Sequence, residues 1–325
     1  VRDFAWDQLV PSHDAEIERV TIPLNGHDHL FLVSPPNPET GVNPEEAATT
    51  LIGGGLSEFV DVGSLPRLHQ AVAAVKPDHW IISQSAKGIS HSGQTLPFAE
   101  AGARWVEEIA AENLELMRRL TNGGPLELVG VSLHSFIHAY MAAINLTANP
   151  HQQLDIPVIR PVSSALIATD VYPHEDFREA DIDEDAFRAQ LSGGFKAHVV
   201  KEALTMLINH PRDMLACSPN LLAYLLYPEK APSRFRAIEA DYQSVKQGFP
   251  WSILRMLGGA LQIDVTLGDR DNLTPPQIPQ WQRLKELSPE GNVNLALVKD
   301  AGHLMTVRHK AIAKALSRPA LSEAA

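Results

Sequence analysis

The fold is decided by one stretch of sequence, Leu126-Glu127-Leu128-Val129-Gly130-Val131-Ser132-Leu133-His134-Ser135-Phe136. Its apolar first half predicts a buried strand, and the residues after the turn predict a helix. A serine that follows Gly-x at the end of a strand and opens a helix lies on a sharp bend, which exposes its hydroxyl above the sheet and places helix amides beneath a developing charge. Ser132 is therefore a candidate nucleophile, although His134 replaces the second glycine of the usual Gly-x-Ser-x-Gly pattern.

Strands and helices alternate in both directions from this turn. The elements predicted before it are a hairpin over 17–24 and 29–33, a strand over 47–52 that ends at three glycines, a helix over 65–75, a strand over 79–83 and a helix over 98–120. The elements predicted after it are a helix over 136–146, a strand over 158–168, a strand over 261–267, a helix over 279–287 and a strand over 293–298. This alternation predicts an α/β fold built on a mostly parallel sheet.

The alternation is interrupted between residues 172 and 258, where the sequence predicts several helices and no clear strand. We therefore expect a core domain of residues 1–170 and 259–325, with an inserted helical cap of residues 171–258. The cap carries more apolar and aromatic side chains than its own small helices could bury, among them Phe187, Phe195, Leu221, Leu222, Tyr224, Phe235, Phe249 and Trp251. We expect some of them to roof a pocket above Ser132 and to restrict it to small ligands.

Composition and charge argue against several classes of protein. The 325 residues suffice for a full hydrophobic core, and the sequence contains no apolar run of ~18 residues that could span a bilayer. For that reason we expect no membrane as a partner. The net charge of −12 repels polyanions, so we expect no nucleic acid as a partner either. The amino terminus shows no signal-peptide pattern and the single Cys217 cannot form an intrachain disulfide, which favours the cytoplasm; Cys217 is assigned no catalytic role. We expect a small-molecule substrate and no cofactor or metal, and the sequence leaves the oligomeric state open, a homodimer included.

Two later strand ends supply the groups that a serine nucleophile needs. A serine hydroxyl is a poor nucleophile near neutral pH unless an imidazole takes its proton and a carboxylate holds that imidazole in the right tautomer. Asp271 follows the strand predicted over 261–267, and His303 follows the strand predicted over 293–298. The chain order Ser132, Asp271, His303 is that of a Ser-Asp-His triad on a strand-and-helix fold. His309 competes for the role of base, but it lies in the predicted terminal helix.

At these residues the sequence resembles the α/β-hydrolase family, over most of the chain outside the cap. The resemblance rests on Gly53-Gly54-Gly55, Gly130-Val131-Ser132, Gly268-Asp269-Arg270-Asp271-Asn272-Leu273-Thr274-Pro275 and Ala301-Gly302-His303. It implies the α/β-hydrolase fold, a mostly parallel twisted sheet flanked by helices, and a serine hydrolase that cleaves a small carboxylic ester or related acyl compound through an acyl-enzyme. In the family the acid occupies the last position of a Gly-x-x-Asp turn, which corresponds to Asp271, with Asp269 as the alternative.

The resemblance also implies an oxyanion hole made of two backbone amides. The N–H of Leu133, directly after the nucleophile, is one, and the N–H of Gly55, in the loop after the strand over 47–52, is the other. The three glycines do not fit a dinucleotide-binding loop, because their spacing is not Gly-x-Gly-x-x-Gly and the next predicted strand ends without an acidic residue.

Alternatives to ester hydrolysis stay open. The same triad serves C–C bond hydrolysis, thioester cleavage, acyl transfer and cofactor-free haloperoxidase-like activity. His134 also leaves open a protein of another class: a ligand-binding protein that keeps the hydrolase scaffold but has lost turnover. We expect the His134 side chain to widen the turn or to point along the pocket wall. A metal site on His134 and His138 is disfavoured, because no glutamate follows His134 as zinc hydrolases require. His91 and Ser92 are candidates for substrate contact.

Overall fold

The computed structural model describes residues 17–24, 27–54, 64–84, 104–121, 123–164, 204, 206–212, 251–271, 277–288, 291–303 and 308–317. Within these ranges, eight strands form one sheet in the order β1-β2-β4-β3-β5-β6-β7-β8. The strands are β1 (Glu18–Leu24), β2 (His27–Ser34), β3 (Thr49–Gly53), β4 (Trp80–Gln84), β5 (Leu126–Val131), β6 (Val158–Val162), β7 (Gln262–Gly268) and β8 (Val293–Val298).

Helices cover both faces of this sheet. They are α1 (Ser64–Val75), α2 (Arg104–Leu120), α3 (Leu133–Thr147), α4 (Trp251–Ala260), α5 (Gln277–Leu287) and α6 (His309–Leu316). Within the described ranges, every helix is too short or too polar to cross a membrane.

The strand directions bring the carboxyl ends of six strands, β3 to β8, to one edge. β1 and β4 both run antiparallel to β2, whereas all pairings from β4 across to β8 are parallel. Val131 at the end of β5 pairs with Val162 at the end of β6, and Gly268 at the end of β7 pairs with Val298 at the end of β8. The predicted α/β fold with a mostly parallel sheet is confirmed.

Alternate residues of the parallel strands face two separate apolar layers. On one face, Leu126 and Leu128 of β5 pack with the inner side chains of α2, α3, α4 and α5. On the other face, Val129 and Val131 pack with α1 and α6. A parallel sheet that is buried on both faces needs apolar residues at successive positions, which is why its strands are continuous apolar runs in the sequence.

A row of buried charges crosses the parallel strands near their amino ends. Lys76, just after α1, donates to Glu127 of β5 at 2.5 Å, and the same carboxylate accepts from Nε of Arg160 of β6 at 3.3 Å. Nη1 of Arg160 donates to Asp264 of β7 at 2.5 Å, and the Arg160 side chain is fully buried. Positive and negative groups alternate along this charged row, so each buried charge has a partner of opposite sign. Ser132 follows Glu127 by five positions along the strand, roughly 16 Å of extended chain.

Most predicted elements occur at the predicted places, and the differences have local causes. β8 has the predicted bounds of 293–298. α3 begins at Leu133, three residues earlier than predicted, because the turn at Ser132 joins strand and helix directly. The strand predicted over 158–168 ends at Val162, since the next residue, Ser163, has a φ of 45° that breaks the extended chain.

The cap stays a prediction. α4 crosses its predicted boundary at residue 258, and Leu254 and Leu257 of this helix belong to the apolar layer of the core. Of the remaining cap residues, the structure describes 204 and 206–212, of which 204, 206–209 and 211–212 are helical. The other residues of the cap stretch before α4 lie outside the described ones.

Candidate active site

Ser132 stands at the junction of β5 and α3 in a backbone conformation that serine rarely adopts. Its φ is 50° and its ψ is −111°, and its N–H donates to the carbonyl of Val162 on the neighbouring strand at 2.9 Å. Gly130 permits the sharp turn, because a Cβ there would lie 2.5 Å from the carbonyl oxygen of His134 in the first turn of α3. A serine at a helix N-cap commonly bonds its hydroxyl to the helix amides, but the Ser132 side chain makes no such bond.

The Ser132 hydroxyl contacts an imidazole instead. Its Oγ lies 3.1 Å from Nε2 of His303, and Nδ1 of the same ring lies 2.9 Å from Oδ2 of Asp271. Because an ionised carboxylate only accepts hydrogen bonds, it holds the proton of the neutral ring on Nδ1. Nε2 is then left as the acceptor for the serine hydroxyl. The side chains of His303 and Asp271 are only 11% and 5% exposed, so little water competes for these bonds.

The two aspartates that the sequence offered as the acid have different partners. Asp271 bonds the His303 ring, whereas Oδ1 of Asp269 accepts from the backbone N–H of Ala301 at 3.2 Å. The backbone N–H of Arg270 also donates to the carbonyl of Ala301, at 2.9 Å. The turn after β7 thus holds the turn after β8, and Asp269 contacts the chain two residues before His303 rather than its ring.

Of the two residues whose amides are predicted to form the oxyanion hole, Leu133 is among the described residues and Gly55 is not. Leu133 is the first residue of α3, where a backbone N–H has no acceptor within its own helix and can bind an anion. Gly55 lies outside the described residues. Its neighbour Gly54 is described: the Gly54 N–H donates to the carbonyl of Gln84 at the end of β4, at 2.9 Å.

His134 is buried: it is 1% exposed, and its ring packs against Gly53 at the end of β3. Its Nδ1 lies 2.5 Å from the carbonyl oxygen of Gly54. Burial lowers the pKa of His134 to about 4, and burial likewise holds the pKa of His138 well below its usual range. The two rings meet edge to face with centroids 5.5 Å apart. Among the described residues, no group of three or more His, Cys, Asp or Glu side chains is arranged to hold a metal ion.

The other polar residues that the sequence offered for the site are His309, His91 and Ser92. His309 is the first residue of α6, and His303 is the histidine that contacts Ser132. His91 and Ser92 lie outside the described residues. Gln84 was assigned no role from the sequence, yet its amide Nε2 lies 3.5 Å from Nε2 of His134. Its place as the polar last residue of a buried strand, next to the predicted loop at the sheet edge, was the signal that could have identified it.

One described piece of the predicted cap, residues 206–212, contacts the loop that carries His303. Nε2 of His210 lies 3.0 Å from the carbonyl oxygen of Asp300 and 2.9 Å from Nη1 of Arg308. Asp300 in turn forms an ion pair with Arg270 in the turn after β7. This part of the cap stretch therefore contacts the turn before His303, and Asp300 of that turn is paired in its own right with the turn that leads to Asp271.

Comparisons with known proteins reveal structural likeness at low sequence identity. No protein-family model and no curated protein matches the sequence. Among solved structures, the Cif epoxide hydrolase from Acinetobacter nosocomialis matches with a TM-score of 0.60 and 12% identity over 94% of this chain and 90% of that one. A thermophilic esterase from Thermogutta terrifontis matches with a TM-score of 0.57 and 15% identity over 92% of this chain and 96% of that one. Carboxylesterase CesB from Bacillus subtilis matches with a TM-score of 0.52 and 15% identity over 96% of this chain and 94% of that one. These likenesses show a shared fold, and the reaction has to be argued from the site itself.

Proposed function

We propose that this chain, which has the α/β-hydrolase fold, is a serine hydrolase that cleaves small carboxylic esters through an acyl-enzyme. The observation that carries the proposal is the hydrogen-bonded series from Ser132 Oγ through the His303 ring to Asp271. The three groups follow three different strands, at the edge of the sheet where open α/β folds bind their ligands. The esterases among the structural neighbours favour this chemistry, while the epoxide hydrolase among them shows why the fold alone does not decide it.

In the proposed acylation step, Ser132 Oγ attacks the ester carbonyl carbon as His303 Nε2 takes its proton. The resulting imidazolium is stabilised by the Asp271 carboxylate at Nδ1. The carbonyl oxygen becomes an oxyanion, for which we assign the N–H groups of Leu133 and Gly55 as donors. Collapse of this intermediate breaks the ester C–O bond, and the departing alkoxide takes the proton from His303 Nε2.

Deacylation repeats the same steps with water. Water attacks the acyl carbon while His303 Nε2 takes one of its protons, and the same two amides stabilise the second oxyanion. Collapse returns the proton to Ser132 Oγ and releases the carboxylic acid. Each turnover therefore restores the hydroxyl and the neutral ring, so the residues named suffice without an added cofactor.

The strained backbone of Ser132, combined with the contact of its hydroxyl with an imidazole, supports the assignment of this serine as the nucleophile. Residues with positive φ that are not glycine store strain of ~1–3 kcal/mol and cluster at functional sites. Ser132 combines a φ of 50° with a side chain that leaves the helix uncapped and contacts an imidazole. Its neighbour Ser135 differs, since that hydroxyl donates to the Gly130 carbonyl at 3.0 Å and is buried.

Labelling with a fluorophosphonate probe followed by intact-mass analysis tests the proposal. We expect one adduct per chain, located on Ser132 by peptide mapping, and its loss in Ser132→Ala. That variant should also lose p-nitrophenyl ester hydrolysis by a factor on the order of 10⁴ or more. Ser135→Ala is the matched control and should still be labelled. A folded protein that is not labelled would instead be a binding protein, and retention of a tenth of the wild-type rate by Ser132→Ala would remove Ser132 from the mechanism.

A series of p-nitrophenyl esters tests the proposed substrate size. If the predicted cap roofs the pocket, kcat/KM should fall steeply beyond short acyl chains. Equal activity on long acyl chains or emulsified triglyceride would exclude a roofed pocket. Thioesters of matched acyl length, measured beside the esters, separate ester hydrolysis from thioester cleavage on the same triad.

A further inference from the structure

His134 occupies space that is available only because residue 53 is a glycine. A Cβ built on Gly53 would overlap the Cγ and Cδ2 atoms of the His134 ring and would lie 2.6 Å from its Cβ. Gly53 is the last residue of β3, and it pairs with Gly130 of β5, two residues before Ser132. The ring that breaks the usual glycine pattern at the turn is therefore accommodated by a glycine on the neighbouring strand.

The hydrogen bonds of His134 fix its tautomer. A carbonyl oxygen only accepts, so the 2.5 Å contact between Nδ1 and the Gly54 carbonyl requires the proton on Nδ1. Because burial lowers the pKa of His134 to about 4, the ring is neutral near pH 7 and its Nε2 is an acceptor. The side-chain amide of Gln84 provides the donor for Nε2 at 3.5 Å, a long hydrogen bond.

The same contacts fix the backbone of Gly54 on both sides. Its N–H donates to the Gln84 carbonyl at 2.9 Å, and its carbonyl accepts from the His134 ring. His134 lies in the first turn of α3, which is buried in the core, so its ring is a rigid donor. The end of β3 is thus attached to the helix that begins at the candidate nucleophile.

We propose that His134 is a positioning residue that sets the direction of the second oxyanion donor. The Gly54 carbonyl and the Gly55 N–H belong to one peptide group, and a trans peptide directs its N–H opposite to its carbonyl. A donor that holds the carbonyl toward α3 therefore also orients the N–H that follows. This inference rests on the proposed function, because an oxyanion forms only if the protein performs acyl transfer.

Three substitutions at His134 distinguish the hydrogen bond from the bulk of the ring. His134→Gly removes the donor, and we expect kcat for a short ester to fall by about 10²-fold with KM little changed, as for loss of one oxyanion donor. His134→Asn keeps an amide N–H near the position of Nδ1, and kcat should recover to within about tenfold of wild type. His134→Leu keeps bulk without a donor and should behave as His134→Gly.

His138→Leu is the matched control, because His138 has the same burial on the same helix and neither of its ring nitrogens has a hydrogen-bond partner among the described residues. We expect its kcat to stay within about threefold of wild type. A merely structural role for His134 would lower the melting temperature while leaving kcat per folded molecule unchanged, and that result would overturn the inference. Equal kcat for folded His134→Asn and folded His134→Leu would also overturn it.

A double variant at Gly53 and His134 keeps the test valid if His134→Gly is unstable, because a side chain at residue 53 would occupy the space of the His134 ring. Gly53→Ala alone should destabilise the protein, because its methyl group overlaps the ring. Gly53→Ala combined with His134→Gly fills part of the vacated space, so the double variant should be more stable than Gly53→Ala and should still have the low kcat. A double variant with wild-type kcat would overturn the inference.

A spectroscopic readout separates failure of this inference from failure of the proposed function. Correlation of ring ¹H and ¹⁵N signals in wild-type protein should show His134 protonated on Nδ1 and unprotonated on Nε2 near neutral pH. The opposite tautomer would overturn the inference even in an active hydrolase. Absence of fluorophosphonate labelling together with the Nδ1–H tautomer would refute the proposed function, and with it the catalytic consequence, while the bond to Gly54 would stand.

Discussion

The stability of this protein should fall steeply between pH 6.5 and pH 4, because it buries neutral histidines. His69 is fully buried between two serines, with Nε2 at 2.8 Å from Ser34 Oγ and Nδ1 at 2.9 Å from Ser83 Oγ. Burial lowers the pKa of His69 from 6.5 to about 3 and that of His134 from 6.5 to about 4. Burial also lowers the pKa of His138 well below its usual range.

The sign of the effect follows from which state binds more protons. Below pH 6.5 the unfolded chain protonates these histidines, whereas the folded protein keeps each of them neutral until the pH reaches its lowered pKa. The stabilisation is therefore complete above pH 6.5 and declines by about 1.4 kcal/mol per pH unit per histidine as the pH falls. At pH 5 this amounts to ~2 kcal/mol each for His69 and His134, with a further loss of the same sign from His138. This loss is large, because the whole free energy of unfolding of a typical domain is only ~5–15 kcal/mol.

Urea unfolding followed by tryptophan fluorescence at about pH 7.5 and pH 5 measures this loss. We expect the wild-type free energy of unfolding to drop by ~4 kcal/mol or more between the two conditions. His69→Gln, whose amide can still bond both serines but does not titrate, should drop by ~2 kcal/mol less. His151→Gln alters an exposed histidine and should drop as the wild type does. If His69→Gln and wild type lost the same free energy, the assignment of the acid sensitivity to buried histidines would be refuted.

Further predictions concern the acid, the strained serine and the charged row. Asp271→Asn should lower ester kcat by about 10³–10⁴-fold, because the amide no longer holds the His303 tautomer, whereas Asp269→Asn should act more weakly through the turn at Ala301; the reverse order in steady-state kinetics would exchange their roles. The free energy of unfolding measured in urea should be about 1 kcal/mol higher for Ser132→Gly than for Ser132→Ala, since glycine adopts a φ of 50° without strain. Arg160→Met should cost ~3–5 kcal/mol in urea unfolding with unchanged kcat per folded molecule, because it removes the cation shared by the buried Glu127 and the partly buried Asp264.

The fold could be predicted because its signals are local. The central strands are buried on both faces and therefore appear as apolar runs, and glycines or prolines mark many of their ends. The errors at boundaries come from single residues whose backbone the sequence does not reveal. Ser163 is an example, since nothing in an apolar run that continues past it indicates a φ of 45°. Ser132 is another, because a serine usually caps a helix through its hydroxyl, and here the helix begins without that cap.

The less predictable parts of the site depend on contacts between distant segments. His134 and Gly54 are 80 positions apart, and a histidine at a glycine position looks like a defect until Gly53 is placed beside it. The same is true of the charged row, where Arg160 lies inside an apolar strand and finds its carboxylates on both neighbouring strands. The sequence presents each such residue as an exception, and only the strand order shows that the exceptions pair with one another.

These contacts explain why a strained turn can persist at Ser132 with a bulky residue two positions later. The N–H of Ser132 is bound to β6 through Val162, and its hydroxyl contacts His303 in the turn after β8. On the opposite side, His134 binds the end of β3. Strain of ~1–3 kcal/mol survives only where neighbours overdetermine the geometry, and here strands on both sides hold the start of α3. The first turn of α3 therefore positions both the nucleophile and the Gly54 peptide. A displacement of His134 should misalign the proposed oxyanion donor while leaving the Ser132–His303 bond intact.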